Sequence, residues 1–196
     1  PSIFQHDYLA LASLYRDIEK GFLTIRRKSK KKTFDIIDIG CGEKPYKQLF
    51  DPFVKSYIGV DISPLADVVA PAEKLPFSDR KFDLALNFQV LEHCEEPQKA
   101  VSEMKRVLKK GAYVIASAPG IWQFHPSPHD YQRWTEEGFK KLFHDFSSVS
   151  VKPNLKSYAT TIQIINIELY SITCRNFWVK IPFYIIITLL NIIGRS

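Results

Sequence analysis

Residues 34–39, FDIIDI, are apolar at Phe34, Ile36, Ile37 and Ile39 and polar only at Asp35 and Asp38. A short, nearly continuous apolar run of this kind suits a strand buried on both faces of a parallel sheet. Residues 57–60, 81–88 and 113–118 repeat the theme, 67–70 is a weak strand candidate, and 147–151 is a sixth strand. Between these runs the period changes. Pro97 opens a helix to about residue 109, with Ala100, Val101, Met104, Val107 and Leu108 inward and Lys109, Lys110 and Gly111 as its C-terminus. Thr135 caps a helix over 136–143, and a short helix is expected over 46–50. Leu9, Leu11, Leu14, Tyr15, Ile18 and Phe22 recur at helical spacing, which predicts an opening helix over about 2–20 that Gly21 ends. His6, Asp7 and Tyr8 at its start cap or pack the helix, or line a substrate entrance. Strands alternating with helices give an α/β fold with a mostly parallel sheet of six strands.

Two stretches break the pattern. Residues 119–134 are rich in Pro, His and aromatics, too long for a bare connection and too apolar for a solvated one, so they read as a lid over the carboxyl ends of the strands. Residues 158–196 are isoleucine-rich, with Glu168 as their one acid. Ile162, Ile165, Leu169 and Ile172 mark an amphipathic helix there, and 181–193 is a second apolar segment, shorter than the ~20 residues a bilayer span needs. A helical hairpin on the domain, peripheral attachment to a membrane and an oligomer contact all fit this tail. The expected division is an N-terminal helix and basic linker (1–33), a ligand-binding domain (34–153) with its lid (119–134), and an apolar helical segment (154–196).

With 45% hydrophobic and 24% charged residues, the 196-residue chain has the make-up of a globular domain with a small appendage. Its formal charge of +6 is concentrated in Arg26, Arg27, Lys28, Lys30, Lys31 and Lys32, a solvated linker or a contact for an anionic membrane surface. Cys41, Cys94 and Cys174 are odd in number and unpaired in spacing, so neither a disulfide framework nor a zinc site is expected, and a reducing, cytoplasmic setting fits. Residues 1–21 read as an amphipathic helix and not as a secretory signal.

The chemistry starts at the end of the first strand. Gly40 and Gly42 give a turn without Cβ atoms, and Pro45 is pre-set for a helix start, so strand, turn and helix form a nucleotide site. Asp61 stands at the tip of the second strand, about 20 residues on, where a carboxylate can accept hydrogen bonds from both ribose hydroxyls; an Asx-turn with Ser63 is the competing role. Pro71 and Pro76 fix a loop that can offer backbone groups and Leu75 to a flat ring. A dinucleotide site would want glycine where Pro45 stands, and no P-loop is present. A nucleoside ligand without a pyrophosphate remains.

DIGCG at 38–42, the strand-end Asp61, AEKLPF at 72–77 and KFDLALNFQVLEH at 81–93 together resemble the class I S-adenosylmethionine-dependent methyltransferases. The turn GCGxxPY and the later HPSPHDYxRW are similar to a small bacterial and archaeal branch of methyltransferase type 11-like proteins. The resemblance covers roughly 34–146 and implies a Rossmann-like three-layer sandwich. It implies S-adenosylmethionine as cofactor and S-adenosylhomocysteine as product. It also implies that Asp38, Gly40, Cys41 and Gly42 hold the amino-acid part of the cofactor, Asp61 the ribose, Ile62, Ala72 and Glu73 the adenine, and that Asn87 lies near the sulfonium. Lys44 departs from the family at a third glycine position, and Pro71 stands where an acidic residue often precedes the Ala-Glu pair. The antiparallel seventh strand usual in the family has no candidate after Val151.

A general base is needed only if the acceptor must lose a proton, and His93, His125 and His129 are the candidates, with Asp130 and Tyr131 nearby. Their spacing has no metal signature, so no metal is expected. Arg133 and Trp134 could clamp an anionic or sugar-like acceptor. The apolar tail and aromatic lid favour a small-molecule or lipid-linked acceptor. The alternatives are a non-catalytic cofactor-binding module and a nucleic-acid methyltransferase. The latter is disfavoured, because Asn87-Phe88-Gln89-Val90 replaces the Pro-Pro-Tyr signature of base-amino methylation. Oligomeric state is not legible.

Overall fold

The computed structural model describes residues 1–173 and 177–195, so Cys174 and Ser196 lie outside the described residues. The chain divides into two compact units, one of Pro1–Lys20, Ile121–Gln123 and Lys152–Ser196, the other of Gly21–Gly120 and Phe124–Val151.

The larger unit is built on a sheet of β1 (Phe34–Ile39), β2 (Val54–Asp61), β3 (Val68–Val69), β4 (Phe82–Phe88) and β5 (Leu108–Ser117). Its order is β3-β2-β1-β4-β5 and every pair is parallel. The order reverses between β1 and β4, so their carboxyl ends open the crevice where doubly wound sheets bind ligands. β4 is buried at all seven residues, as its apolar run requires. α2 (Pro97–Val107) turns Ala100, Val101, Met104 and Val107 into the core. It stops two residues before the expected end, because Leu108 already pairs with Phe82 and the strand then bulges at Gly111 (φ +73°). α3 (Glu136–Leu142) begins as expected, with Thr135 Oγ1 accepting the Gly138 N–H at 3.1 Å. The short helix after the glycine turn is two 3-10 turns, Lys47–Leu49 and Asp51–Phe53.

Other expectations fail outright. Among the described residues the sheet has five strands, and 147–151 forms none. Three of those five residues are serine, and only Val149 reaches the core, too little apolar surface to hold an edge strand. The first helix, α1 (Tyr8–Lys28), runs through Gly21. Beyond that glycine, Phe22 sets its ring edge-on to Phe34 and Phe50 at 5.8 and 4.8 Å, and burial of Phe22 and Ile25 outweighs the ~1 kcal/mol cost of an interior glycine. The first half of the basic run is therefore helical: Arg26, Arg27 and Lys28 form the last turn, cations at the negative end of the helix dipole.

In the smaller unit α4 (Ser157–Thr173) and α5 (Phe177–Gly194) pack on each other. The face of α4 that is buried is not the predicted isoleucine stripe. Ala159, Gln163, Asn166 and Ile167 are buried, whereas Ile165 and Ile172 are exposed. Polar side chains hold the interior. Gln163 accepts the Ala10 N–H and donates to the His6 carbonyl. Asn166 donates to Asn191 of α5, which in turn donates to the carbonyls of Ile3 and Gln5. His6 stacks on Tyr170 at 3.8 Å, a packing role for the opening residues. No helix among the described residues is long and apolar enough to cross a membrane.

Candidate functional site

The glycine turn follows β1 directly. Gly40 and Cys41 both donate to the Val60 carbonyl, at 2.7 and 3.1 Å, which draws the turn over the end of β2. Gly40 has φ +72°, and a Cβ there would lie 2.0 Å from Val90 Cγ2. Gly42, at φ +47°, faces open space, as a turn receiving a ligand must. Gly59 is required as well, because a Cβ on it would meet Cys41 Sγ at 2.7 Å and Lys44 Cε at 2.5 Å. Lys44, at the third glycine position, keeps the left-handed backbone that a glycine would supply (φ +57°) and pairs with Asp67.

Asp61 at the tip of β2 makes the Asx-turn and also holds the glycine turn. Oδ1 accepts the Ser63 N–H at 3.0 Å, the Asx-turn, and Oδ2 accepts the Gly42 N–H at 2.9 Å. An ionised carboxylate has about four acceptor positions, so one on each oxygen remains for a ribose hydroxyl. Beside it Ile62 is 59% exposed, an open apolar face of the kind an adenine ring covers. Ala72 is buried and Glu73 half-buried. Leu75, expected to face a flat ring, instead lies in the core with its N–H donated to Glu103.

Asp38 is buried at the end of β1 and accepts the Tyr57 hydroxyl. Burial pushes its carboxyl up to about 6, against the opposing effect of that hydrogen bond. Asn87 is fully buried, and its amide donates to the Ile39 carbonyl at 3.1 Å, tying β4 to β1 beneath the turn. The Cys41 and Cys94 thiols are pushed up to about 11 and 12, chiefly by burial, so neither supplies a thiolate nucleophile at neutral pH.

The predicted histidines gather at the carboxyl end of β4. Leu91–His93 forms a single 3-10 turn. His93 Nδ1 meets the His129 carbonyl, and its ring lies 5.1 Å from that of His125, edge to face. The His129 ring is exposed and tilts against Tyr131 at 5.3 Å. Asp130 holds this loop together: it accepts the His125 N–H at 2.9 Å and both terminal nitrogens of Arg133. That guanidinium keeps the Asp130 carboxyl well below the usual carboxylate range. Sequence reasoning missed Glu92 in their midst. It is fully buried, its carboxyl oxygens bond to no other residue, and burial pushes it up to about 7. An acidic letter directly after the apolar Val90-Leu91 pair was its one signal.

Comparison with known proteins bears on the fold that carries this site. Residues 37–116 match the family model described as a methyltransferase domain. An uncharacterised methyltransferase of Schizosaccharomyces pombe is 28% identical over 56% of this chain and 48% of its own length. A malonyl-[acyl-carrier protein] O-methyltransferase of Hamiltonella defensa is 22% identical over 74% of this chain and 60% of its own. Among solved structures, the PH0226 protein from Pyrococcus horikoshii superposes with TM-score 0.54 at 20% identity, over 73% of this chain and 86% of that one, a likeness of fold. Residues 37–116 are thus similar to a methyltransferase domain, and a probable S-adenosylmethionine-dependent methyltransferase of Mycolicibacterium smegmatis is 31% identical over 47% of this chain and 40% of its own length. It spans about half the length of the curated relatives first matched, 48%, 42% and 53%.

Proposed function

We propose that the chain binds S-adenosylmethionine at the β1–β2–β4 crevice and transfers its methyl group to a small-molecule or lipid-linked acceptor. The observation that carries this reading is the Asp61 carboxylate, fixed by the Gly42 and Ser63 N–H groups with one acceptor position left on each oxygen, beside the exposed Ile62. Asp38, Gly40, Cys41 and Gly42 take the amino-acid end of the cofactor. Ile62, Ala72 and Glu73 border the base, and Asn87 supports the floor near the sulfur. The bound cofactor supplies an electrophilic methyl group on a sulfonium.

The residues of this chain then have to align the acceptor and exclude water, tasks that proximity and orientation reward with several kcal/mol of barrier. Where the acceptor releases a proton, the histidines at the end of β4, His93, His125 and His129, receive it. His125 and His129 are brought to the end of β4 by the stretch that follows residue 123. The lipid-linked version of the acceptor, and a peripheral position at an anionic membrane surface inside the cell, rest on the smaller unit. Its hairpin keeps Gln163, Asn166 and Asn191 inside while Ile165, Ile172, Ile185, Leu189, Ile192 and Ile193 are exposed. Nucleic acid is disfavoured as an acceptor. Incubation with methyl-labelled S-adenosylmethionine and a panel of hydroxyl, amine and polyprenyl-phosphate-linked sugar acceptors tests the activity. Turnover on any of them supports it, and cofactor binding without turnover favours a non-catalytic module. Flotation with anionic and neutral liposomes tests the lipid version, which fails if the protein ignores both.

A further inference from the structure

We propose that Glu92, His93 and His125 form a binding site for one divalent transition-metal ion of the zinc, manganese or iron(II) class. One donor atom from each residue lies within 4.8 Å of the other two. The independent observation is Glu92: its side chain is 0% exposed and neither carboxyl oxygen is hydrogen-bonded to another residue. A buried carboxylate without a hydrogen bond is costly, and a cation between it and the two imidazoles offsets that cost.

The surroundings hold the rings as ligand histidines are held. His93 Nδ1–H donates to the His129 carbonyl, which fixes the tautomer and leaves the Nε2 lone pair directed at the cluster, 3.9 Å from Glu92 Oε1. His125 is anchored by Asp130, whose Oδ2 accepts its backbone N–H at 2.9 Å and lies 3.4 Å from its Nδ1. Arg133 is bound through both terminal nitrogens to Asp130, with Nη2 also 3.3 Å from His125 Nδ1, and its charge acts on Glu92 without a hydrogen bond to the Glu92 carboxyl oxygens. Cys94 follows His93 in sequence, yet its Sγ lies 3.6 Å from the Val90 carbonyl, a hydrogen bond to its own turn.

Two imidazoles and one carboxylate are a donor set for zinc, manganese or iron(II). Magnesium and calcium prefer oxygen ligands throughout, and copper(I) prefers thiolates. Tetrahedral coordination at 2.0–2.2 Å sets donors about 3.4 Å apart, so the ion closes the cluster by side-chain rotations of roughly an ångström. Three protein ligands leave a position for water or an acceptor oxygen, whose proton a metal would loosen. Only this last role rests on the methyl-transfer reading, under which the exposed His129 is left to receive the proton. The motif is not visible as spacing, because two ligands come from the end of β4 and the third from the distant loop.

The test uses the untagged full chain, stripped with a chelator and titrated with Zn2+ and Co2+ by calorimetry without any cofactor. One equivalent is expected, with Glu92→Gln and His93→Ala each weakening Zn2+ at least tenfold and His144→Ala, an exposed histidine, leaving it unchanged. X-ray absorption of the zinc-loaded wild type should show two imidazoles and no sulfur, which decides the matter even if a variant fails to fold. Absence of stoichiometric uptake of Zn2+, Co2+ and Mn2+ by protein with a native circular dichroism spectrum overturns the proposal. So does sulfur in the coordination shell, or affinity that both variants leave intact.

Discussion

Replacing Gly40 by alanine puts a methyl group 2.0 Å from Val90 Cγ2 and 2.9 Å from its Cγ1, on a backbone with φ +72°. Two costs add. The left-handed conformation costs an L-residue about 1–2 kcal/mol. Forcing a methyl group against a packed side chain costs about 1–3 kcal/mol more. Gly42→Ala is the internal control, since its φ of +47° carries the first cost while its surroundings are open. Urea unfolding should therefore show Gly40→Ala less stable than wild type by about 2–5 kcal/mol and Gly42→Ala by about 1–2 kcal/mol. Adding Val90→Ala to Gly40→Ala removes the obstacle, so the pair should lose less than the sum of the two single variants. Equal losses for the two glycine variants, or strict additivity of Gly40→Ala with Val90→Ala, would refute the close approach between the turn and Val90.

Asp38 sets a pH dependence. Its folded-state value of about 6 lies above the ordinary 3.8, so between these values the folded chain keeps a proton that the unfolded chain has released. The neutral form stabilises the fold at low pH, and that contribution of about 3 kcal/mol is lost as pH rises through 6. The stability difference between wild type and Asp38→Asn, followed by urea unfolding from pH 4 to 7, should change by this amount, and a flat difference argues against the assignment. Asn191→Ala strands the carbonyls of Ile3 and Gln5 and the Asn166 amide, so hydrogen exchange in the opening residues and α4 should report a loss of about 2–4 kcal/mol. Thr135→Ala removes the α3 cap and should cost about 1 kcal/mol in thermal or urea unfolding, which Thr135→Ser largely avoids.

Legibility followed the physics of each element. β1 and β4 were readable because a strand buried on both faces is apolar nearly throughout. The cap at Thr135 and the proline that starts α2 at Pro97 act within one turn and so appear as local letters. The buried face of α4 was misread for the opposite reason. Periodicity assumes that apolar residues face inward, and here Gln163, Asn166 and Asn191 occupy the interior because backbone carbonyls and each other satisfy them. Gly21 failed as a stop because its cost is smaller than the burial of Phe22 and Ile25. At the site, the turn and Asp61 were visible at their family spacing. The Asp61–Gly42 bond, the Tyr57 hydroxyl on Asp38 and the cluster around Glu92 were not, since each joins residues that only the parallel sheet brings together.

The central claim is that Asp61 holds the ribose of S-adenosylmethionine. Calorimetric titration of the cofactor into wild type and Asp61→Ala at matched folded fraction tests it most directly. Two hydroxyls bonded to a charged carboxylate, at about 1.5–3 kcal/mol each, predict at least a tenfold loss of affinity. Wild-type affinity in Asp61→Ala would contradict the account.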